Sequence, residues 1–399
     1  MKLIAIPLAS RIHRKEFYEK FINDLKPIFE KNEIKVLEVI DDKLSDEIIN
    51  EVRSSIPIIV ILTGGTSDLA IELIEKSKVR RVLLLSHFQH NSLASAISIK
   101  NRVKEIAIRN YFGNKSIEKV IKISKALEKL LGIKVGVISD KIDVKKFEEI
   151  LNAKVFRFGY ECLEISNIDL SEVFSSINKK IEIIDNDAFK RAIELYLIMK
   201  KLVFNNQLNA LAIDCFPYLI KYRITPCIAV ALLNDDGIVT ACEADLRALM
   251  LMLMAKSLGK ISWMANIASI NDKQLTIAHC TIATKLGVNC KLISHFESGL
   301  PYSLTCKLNE GEYTLVGINR EYSLIATLKV KLIKSGLINE NMCRTQALLE
   351  ANVDLSDFPN IALGNHHILI PGDVVDDLKE LANLLSIKFI TYEKLINFS

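Results

Sequence analysis

The residues with the most chemistry in this chain are Cys242-Glu243-Ala244-Asp245, Ala278-His279-Cys280 and Gly364-Asn365-His366-His367. The chain has seven histidines, His13, His87, His90, His279, His295, His366 and His367, and three of them fall in the two later pieces, downstream of the paired carboxylates. Carboxylate plus imidazole is a mixed O/N donor set that suits a divalent ion of the Mn²⁺ or Co²⁺ class. An ion held this way with two open positions could grip adjacent oxygens of a polyol or hydroxy-carbonyl compound. Asp214, in Asp214-Cys215-Phe216-Pro217, ends an apolar strand-like run and could line the same crevice. Glu297, in His295-Phe296-Glu297, supplies a further carboxylate at a strand end, and Arg344 is a cation that could read a hydroxyl or an anionic group. His366 and His367 are adjacent on a strand, so their side chains leave on opposite faces and one of the two reaches a given site.

These residues need elements to hold them. The first part of the chain alternates strand-like runs (Leu3–Leu8, Ile34–Ile40, Ile58–Leu62, Val82–Ser86) with amphipathic helical segments such as Glu16–Glu30, where Phe17, Phe21, Leu25 and Phe29 share a face. Repeated βα units imply a doubly wound parallel sheet with ligands at the carboxyl ends of its strands. Thr63-Gly64-Gly65-Thr66-Ser67-Asp68 is such a strand-to-helix turn, read either as a tight turn or as a place where backbone N–H groups meet ligand oxygens. A second βα series starts at Lys134–Ser139 and continues through Val155–Phe158, a helix Ala188–Phe204, a strand Ala210–Ile213 and a strand Cys227–Leu233, after which a helix opens at Glu243. Beyond residue 259 short strand-like stretches dominate, with Asn309-Glu310-Gly311-Glu312 as a hairpin loop and a closing helix Val374–Leu385. The expected fold class is α/β: two doubly wound parallel-sheet domains (1–131 and 132–258) followed by a C-terminal antiparallel β-barrel-like domain (259–399).

Composition removes several classes. The net charge of +4 is spread along the chain with no basic block interleaved with aromatics, so nucleic acid is not an expected partner. No apolar run approaches the roughly 18 residues of a membrane span. The chain starts directly on strand-like Lys2–Ile6 with no leader pattern, which gives a cytoplasmic enzyme as the economical expectation. The eight cysteines show no Cys-X-X-Cys pair and no regular spacing, so neither a zinc ribbon nor a disulfide framework is expected.

The pieces named above, in this order, resemble the L-fucose isomerase and L-arabinose isomerase superfamily, over about residues 205 to 395 in sequence and over the first 200 in architecture. The resemblance implies a C-terminal antiparallel barrel and aldose–ketose interconversion through an enediol, assisted by a divalent metal, Mn²⁺ or alternatively Co²⁺. It implies Glu243 as metal ligand and candidate base, with Asp245 or Asp214 as second proton carrier. His279 and His366 correspond to histidine ligands, and Asn365, Arg344 and Glu297 become candidate substrate contacts. At the family's second acidic ligand, in Gly259-Lys260-Ile261-Ser262-Trp263-Met264-Ala265-Asn266, this chain offers Ala265 or Asn266 according to a one-residue shift in alignment, and an amide cannot carry the transferred proton. A sugar-binding protein that kept the fold and lost the proton shuttle is therefore the alternative, with a metal-dependent epimerase or aldolase as a third reading. The resemblance also implies a carbohydrate partner and a closed homo-oligomer, trimer or hexamer.

Overall fold

The computed structural model describes residues 1–164 and 186–397. It contains two parallel sheets and a closed antiparallel barrel, as the alternation of βα units followed by short strands requires. By compactness the chain forms one unit of Met1–Leu131 with Asp377–Ile387, and a second of Gly132–Asp376 with Lys388–Ser399.

In the first unit, β1 (Lys2–Leu8), β2 (Lys35–Val36), β3 (Ser55–Ile61), β4 (Arg81–Ser86) and β5 (Ala107–Phe112) pair in the order β2-β1-β3-β4-β5, all parallel. Ile56, Ile58, Ile59, Val60 and Ile61 of β3 are all buried because helices cover both faces of a parallel sheet. Gly64, in the turn after β3, has a packing reason: a Cβ there would lie 2.8 Å from Asn91 Cβ, so the neighbouring loop approaches too closely for any side chain. Thr66 is the residue before the helix Ser67–Ser77. β5 is hidden in the sequence because Arg109 and Asn110 interrupt its apolar pattern. The reason lies across the fold, where the buried Glu380 accepts hydrogen bonds from Arg109 Nε and Nη2 (both 2.5 Å) and from Tyr111 Oη (3.1 Å). Glu380 belongs to the helix Val375–Leu384, which thus serves the first unit and does not close the barrel.

The second unit holds the other sheets. β6 (Lys134–Ile138), β7 (Lys154–Phe158), β8 (Ala210–Ile213) and β9 (Val239–Ala241) form a parallel sheet in the order β7-β6-β8-β9, so the strand order reverses between β6 and β8. Asp214 follows β8 and Glu243 follows β9, at the carboxyl ends where such sheets place ligands. The run Cys227–Leu233, expected as a strand, is instead the buried helix Cys227–Asp235. A short all-apolar run has no periodicity to separate the two. Its alanines and leucines favour helix, Pro226 precedes the first turn, and β9 supplies the strand a few residues later.

β10 (Trp263–Asn271), β11 (Gln274–His279), β14 (Glu312–Ile318), β15 (Leu324–Gly336), β16 (Thr345–Ala351) and β17 (His366–Pro371) make the barrel. It closes because β14 pairs with β17 on one side and β15 on the other, while β18 (Lys388–Thr391) adds in parallel to β15. β12 (Gly287–Ile293) and β13 (Ser303–Leu308) form a separate ribbon, bridged by a Cys290–Cys306 disulfide. That pairing corrects the expectation of free thiols at these two positions; strand pairing, not sequence spacing, brings them together. Inside the barrel pack Ala265, Leu275, Ile277, Leu315, Leu328, Ala347, Leu349 and Leu369. Among the described residues no helix is long and apolar enough to cross a membrane.

The Arg109–Glu380 pair yields a stability prediction. Burial works against the Glu380 charge, but Arg109 and Lys119 outweigh it and hold the carboxyl below its ordinary value. A carboxyl depressed on folding stabilises above its unfolded pKa, and that contribution disappears as pH falls through the folded value. Glu380→Gln should therefore cost about 2 kcal/mol in urea unfolding at pH 7, discounted for the partly exposed Arg109. The difference from the parent should shrink in acid.

Candidate metal centre and its pocket

The turn after β9 sets the geometry. Asp245 N–H donates to Cys242 O (3.1 Å), closing a turn whose central residues Glu243 and Ala244 both have positive φ, 55° and 46°. Two left-handed residues in succession normally call for Gly or Asn, so the backbone is strained here. The strain turns the Glu243 side chain out of the strand direction and delivers Asp245 to the start of the helix Leu246–Ser257. Asp245 Oδ1 caps that helix, accepting from Arg247 N (2.9 Å) and Ala248 N (3.1 Å). The helix therefore opens at Leu246 with Asp245 as its cap, not at Glu243.

The barrel supplies the histidines. His366 leads β17, and its Nδ1 lies 2.9 Å from Asp245 Oδ2. Its Nε2 is 3.4 Å from Glu243 Oε1, and His279 Nε2, at the end of β11, is 3.7 Å from the same oxygen. His367, one residue on, turns into the barrel and meets Tyr392 Oη at 2.7 Å. The alternation of a strand thus assigns His366 to this cluster and His367 to the core. His279 Nδ1 and Nε2 and His366 Nε2 are buried without a hydrogen-bond partner among the described residues. Buried polar atoms are rarely left so. Donors bound about 2.1 Å from a common ion stand about 3 to 3.5 Å apart, which is close to the spacing of Glu243 Oε1 and the two Nε2 atoms. The donors fit a divalent cation.

The local field is polarised. Burial opposes the Glu243 charge, but His279 and His366 overcome it and hold the carboxyl well below its usual range. Burial likewise works against protonated His366, and Asp245 and Glu243 outweigh it, raising the imidazole to about 9. Asp245 is kept low against its own burial by His366 and Arg247. Asp214 is the exception: burial and the nearby Glu243 charge raise it, against a hydrogen bond from Ser139 Oγ (3.4 Å).

Beside this cluster opens a pocket of about 590 Å³ lined by Glu243, Asp245, Asn365 and His366. It also presents Lys146, Arg247, Arg320 and Tyr322, none of which stood out in the sequence. Arg247 sits in the first turn of the helix that Asp245 caps, a position that the Glu-X-Asp element could have flagged. Arg320 and Tyr322 lie in the β14–β15 turn, where no local pattern marks them.

The other sequence candidates are dispersed. Asn266 pairs in register with His366 across β10 and β17, and its Oδ1 accepts from Asn365 Nδ2 (3.1 Å). Arg344 is not among the pocket residues: its Nε donates to Ser294 O (2.8 Å), its Nη1 to Glu340 O (3.1 Å), and the guanidinium lies 5.4 Å from the Phe296 ring centroid. Glu297 stands with His295 and Cys280, whose donor atoms all lie within 4.8 Å of one another.

With that geometry in place, similarity adds a direction. Relatives include the sulfoquinovose isomerases of Priestia aryabhattai and Priestia megaterium, each 20% identical over 299 residues, 68% of this chain and 67% of theirs. The sulfoquinovose isomerase of a Clostridium species is 25% identical over 225 residues, 52% of this chain and 49% of its own. The chain is distantly similar to sugar isomerases. The relationship is to sulfoquinovose isomerases and not specifically to the fucose enzymes. No family model matches the chain. Two donor clusters together with this similarity are consistent with a metal-dependent enzyme that modifies sugars.

The strained turn can be tested directly. Ala244→Gly should relieve one left-handed residue, worth about 1 kcal/mol net of the added chain entropy. Thermal unfolding should then move up by about 2 °C in a chain of this size. An unchanged or lowered midpoint would show that the turn is not strained at Ala244.

Proposed function

We propose that the protein is a metal-dependent aldose–ketose isomerase acting on an anionic sugar. The observation that carries this reading is the convergence of Glu243, His279 and His366, with the Nε2 atoms of both histidines left without a hydrogen-bond partner beside Glu243 Oε1. Glu243 Oε1, His279 Nε2 and His366 Nε2 would hold the ion, Mn²⁺ or Co²⁺ by their mixed N/O character. When bound, it would polarise the substrate carbonyl and orient the adjacent hydroxyl.

The chain's own residues divide the remaining work. Asp245 positions His366 through Nδ1, fixing the ring so that Nε2 points at the ion, as outer carboxylates do for metal-bound histidines. Since its oxygens serve the helix cap and His366, Asp245 is poorly placed as proton carrier. Asp214, which is not among the pocket residues, is the remaining candidate, and burial and the Glu243 charge raise its carboxyl above the ordinary value. In the forward direction it would take the proton from C2 as the carbonyl oxygen gains one, giving the enediol. Returning the proton to C1 as the C2 hydroxyl oxygen loses its own gives the ketose. Lys146, Arg247 and Arg320 stand among the carboxylates Asp143, Glu243 and Asp245 in the pocket lining and would meet a negative group on the substrate; the names of the similar isomerases denote a sulfonated sugar. A closed homo-oligomer, trimer or hexamer, belongs to the same reading.

Asn266 supports a second reading, a sugar-binding protein without the shuttle, because an amide stands beside His366 where the resembled enzymes have a carboxylate. Incubation with Mn²⁺ and sulfonated or phosphorylated aldoses in D₂O separates the two. Deuterium should enter at C1 or C2, and Asp214→Asn should reduce the exchange by about two orders of magnitude, the typical worth of a general base. Binding without exchange in the parent would sink the isomerase.

Metal binding has its own test. At pH 7 His366 lies below its raised pKa of about 9 and carries a proton, which the ion must displace. Titration calorimetry in buffers of differing ionisation enthalpy should therefore show close to one proton released per Mn²⁺ bound. Affinity should rise with pH up to about 9 and then level. Glu243→Gln and His366→Ala should each weaken Mn²⁺ binding roughly tenfold or more; parent-like affinity in both would remove the assignment.

A further inference from the structure

Cys280 follows His279 in the chain, and its side chain belongs to a different group of donors. Its thiol lies beside His295 and Cys343. His295 Nε2 lies 3.6 Å from Glu297 Oε2, and the donor atoms of Cys280, His295 and Glu297 fall within 4.8 Å of one another. Cys280 and His295 are buried, while the Glu297 side chain is 47% exposed and leaves the cluster open to solvent on one side.

Two chemistries could use a cysteine, a histidine and a glutamate. A nucleophilic triad needs the cysteine on one ring nitrogen and the carboxylate on the other. Here Nδ1 is taken by Ser298, whose Oγ lies at 3.1 Å and whose N–H donates at 3.3 Å. That leaves Nε2 as the nitrogen facing Glu297, with the thiol close by. Three donors gathered on one side of a ring that a hydroxyl holds from behind form the arrangement of a metal ligand set, with Ser298 orienting the imidazole.

We propose that Cys280, His295 and Glu297 form a second divalent-metal site, sulfur-bearing and therefore selective for Zn²⁺-class ions. Thiolate, imidazole and carboxylate are the donors Zn²⁺ takes, and three protein ligands leave its fourth position open. Cys343 lies beside Cys280. The softer sulfur separates this site from the Glu243 cluster, whose oxygen and nitrogen donors suit Mn²⁺. Since His279 and Cys280 are consecutive at the end of β11, the two sites share one piece of backbone. Filling the second would tie the segment carrying His295 and Glu297 to the strand that carries His279.

Cobalt distinguishes the sites, because a thiolate ligand gives Co²⁺ a near-ultraviolet charge-transfer band and a carboxylate–histidine site does not. The full-length protein, stripped of metal and titrated with Co²⁺, should develop this band. Cys280→Ser should lose it, whereas Glu243→Gln should keep it. Zn²⁺ affinity, read by competition with a chromophoric chelator, should fall roughly tenfold or more in His295→Ala and in Glu297→Gln. The last changes a partly exposed side chain and so guards against misfolding, which circular dichroism of the metal-free variants monitors. No band in the parent, a band that survives Cys280→Ser, or parent-like Zn²⁺ affinity in both His295→Ala and Glu297→Gln would each overturn the proposal.

Discussion

The carboxylate of Asp245 is the constraint on which the second unit turns. One oxygen satisfies the free N–H groups at the start of the helix Leu246–Ser257, and the other faces His366 at the start of β17. A buried carboxylate needs such partners, since an unpaired charge in the interior costs several kcal/mol. Through this one side chain the parallel sheet and the barrel are fixed in register where Glu243, His279 and His366 meet. The turn holding Glu243 and Ala244 in left-handed geometry is tolerated because this packing over-determines it.

The two donor clusters follow from how the barrel ends. β11 finishes at His279, and Cys280 begins the departure from the sheet, so consecutive residues face different surroundings. His279 meets the carboxylate delivered by β9, whereas Cys280 meets the segment that follows β12. An oxygen–nitrogen set and a sulfur-bearing set thus arise side by side. The pocket beside the first cluster draws the cations Lys146, Arg247 and Arg320 from three separate elements and sets them among the carboxylates Asp143, Glu243 and Asp245.

Much of the architecture was legible in the sequence. Alternating βα units announced the parallel sheets, and the change to short strands after residue 259 announced the barrel, because periodicity and turn chemistry are local signals. Glu243, His279 and His366 could be singled out because imidazole is scarce in this chain and the Glu-X-Asp element runs directly into a helix. The choice between His366 and His367 waited for β17, whose register decides which face each takes. Cys227–Asp235 was misread because a fully buried apolar run carries no amphipathic signature, and β5 was hidden because Arg109 answers a glutamate 271 residues away.

What the sequence by itself determined is therefore the class of each element and the types of donor available, since both depend on residues close together in the chain. Tertiary structure alone decided which donors converge. It committed Arg344 to backbone carbonyls, brought Arg320 and Lys146 to the pocket, set Asn266 beside His366, paired Cys290 with Cys306 and joined Glu297 to Cys280. Each of these depends on strand register and crossover connections between distant segments, and side-chain spacing along the chain carries no record of them.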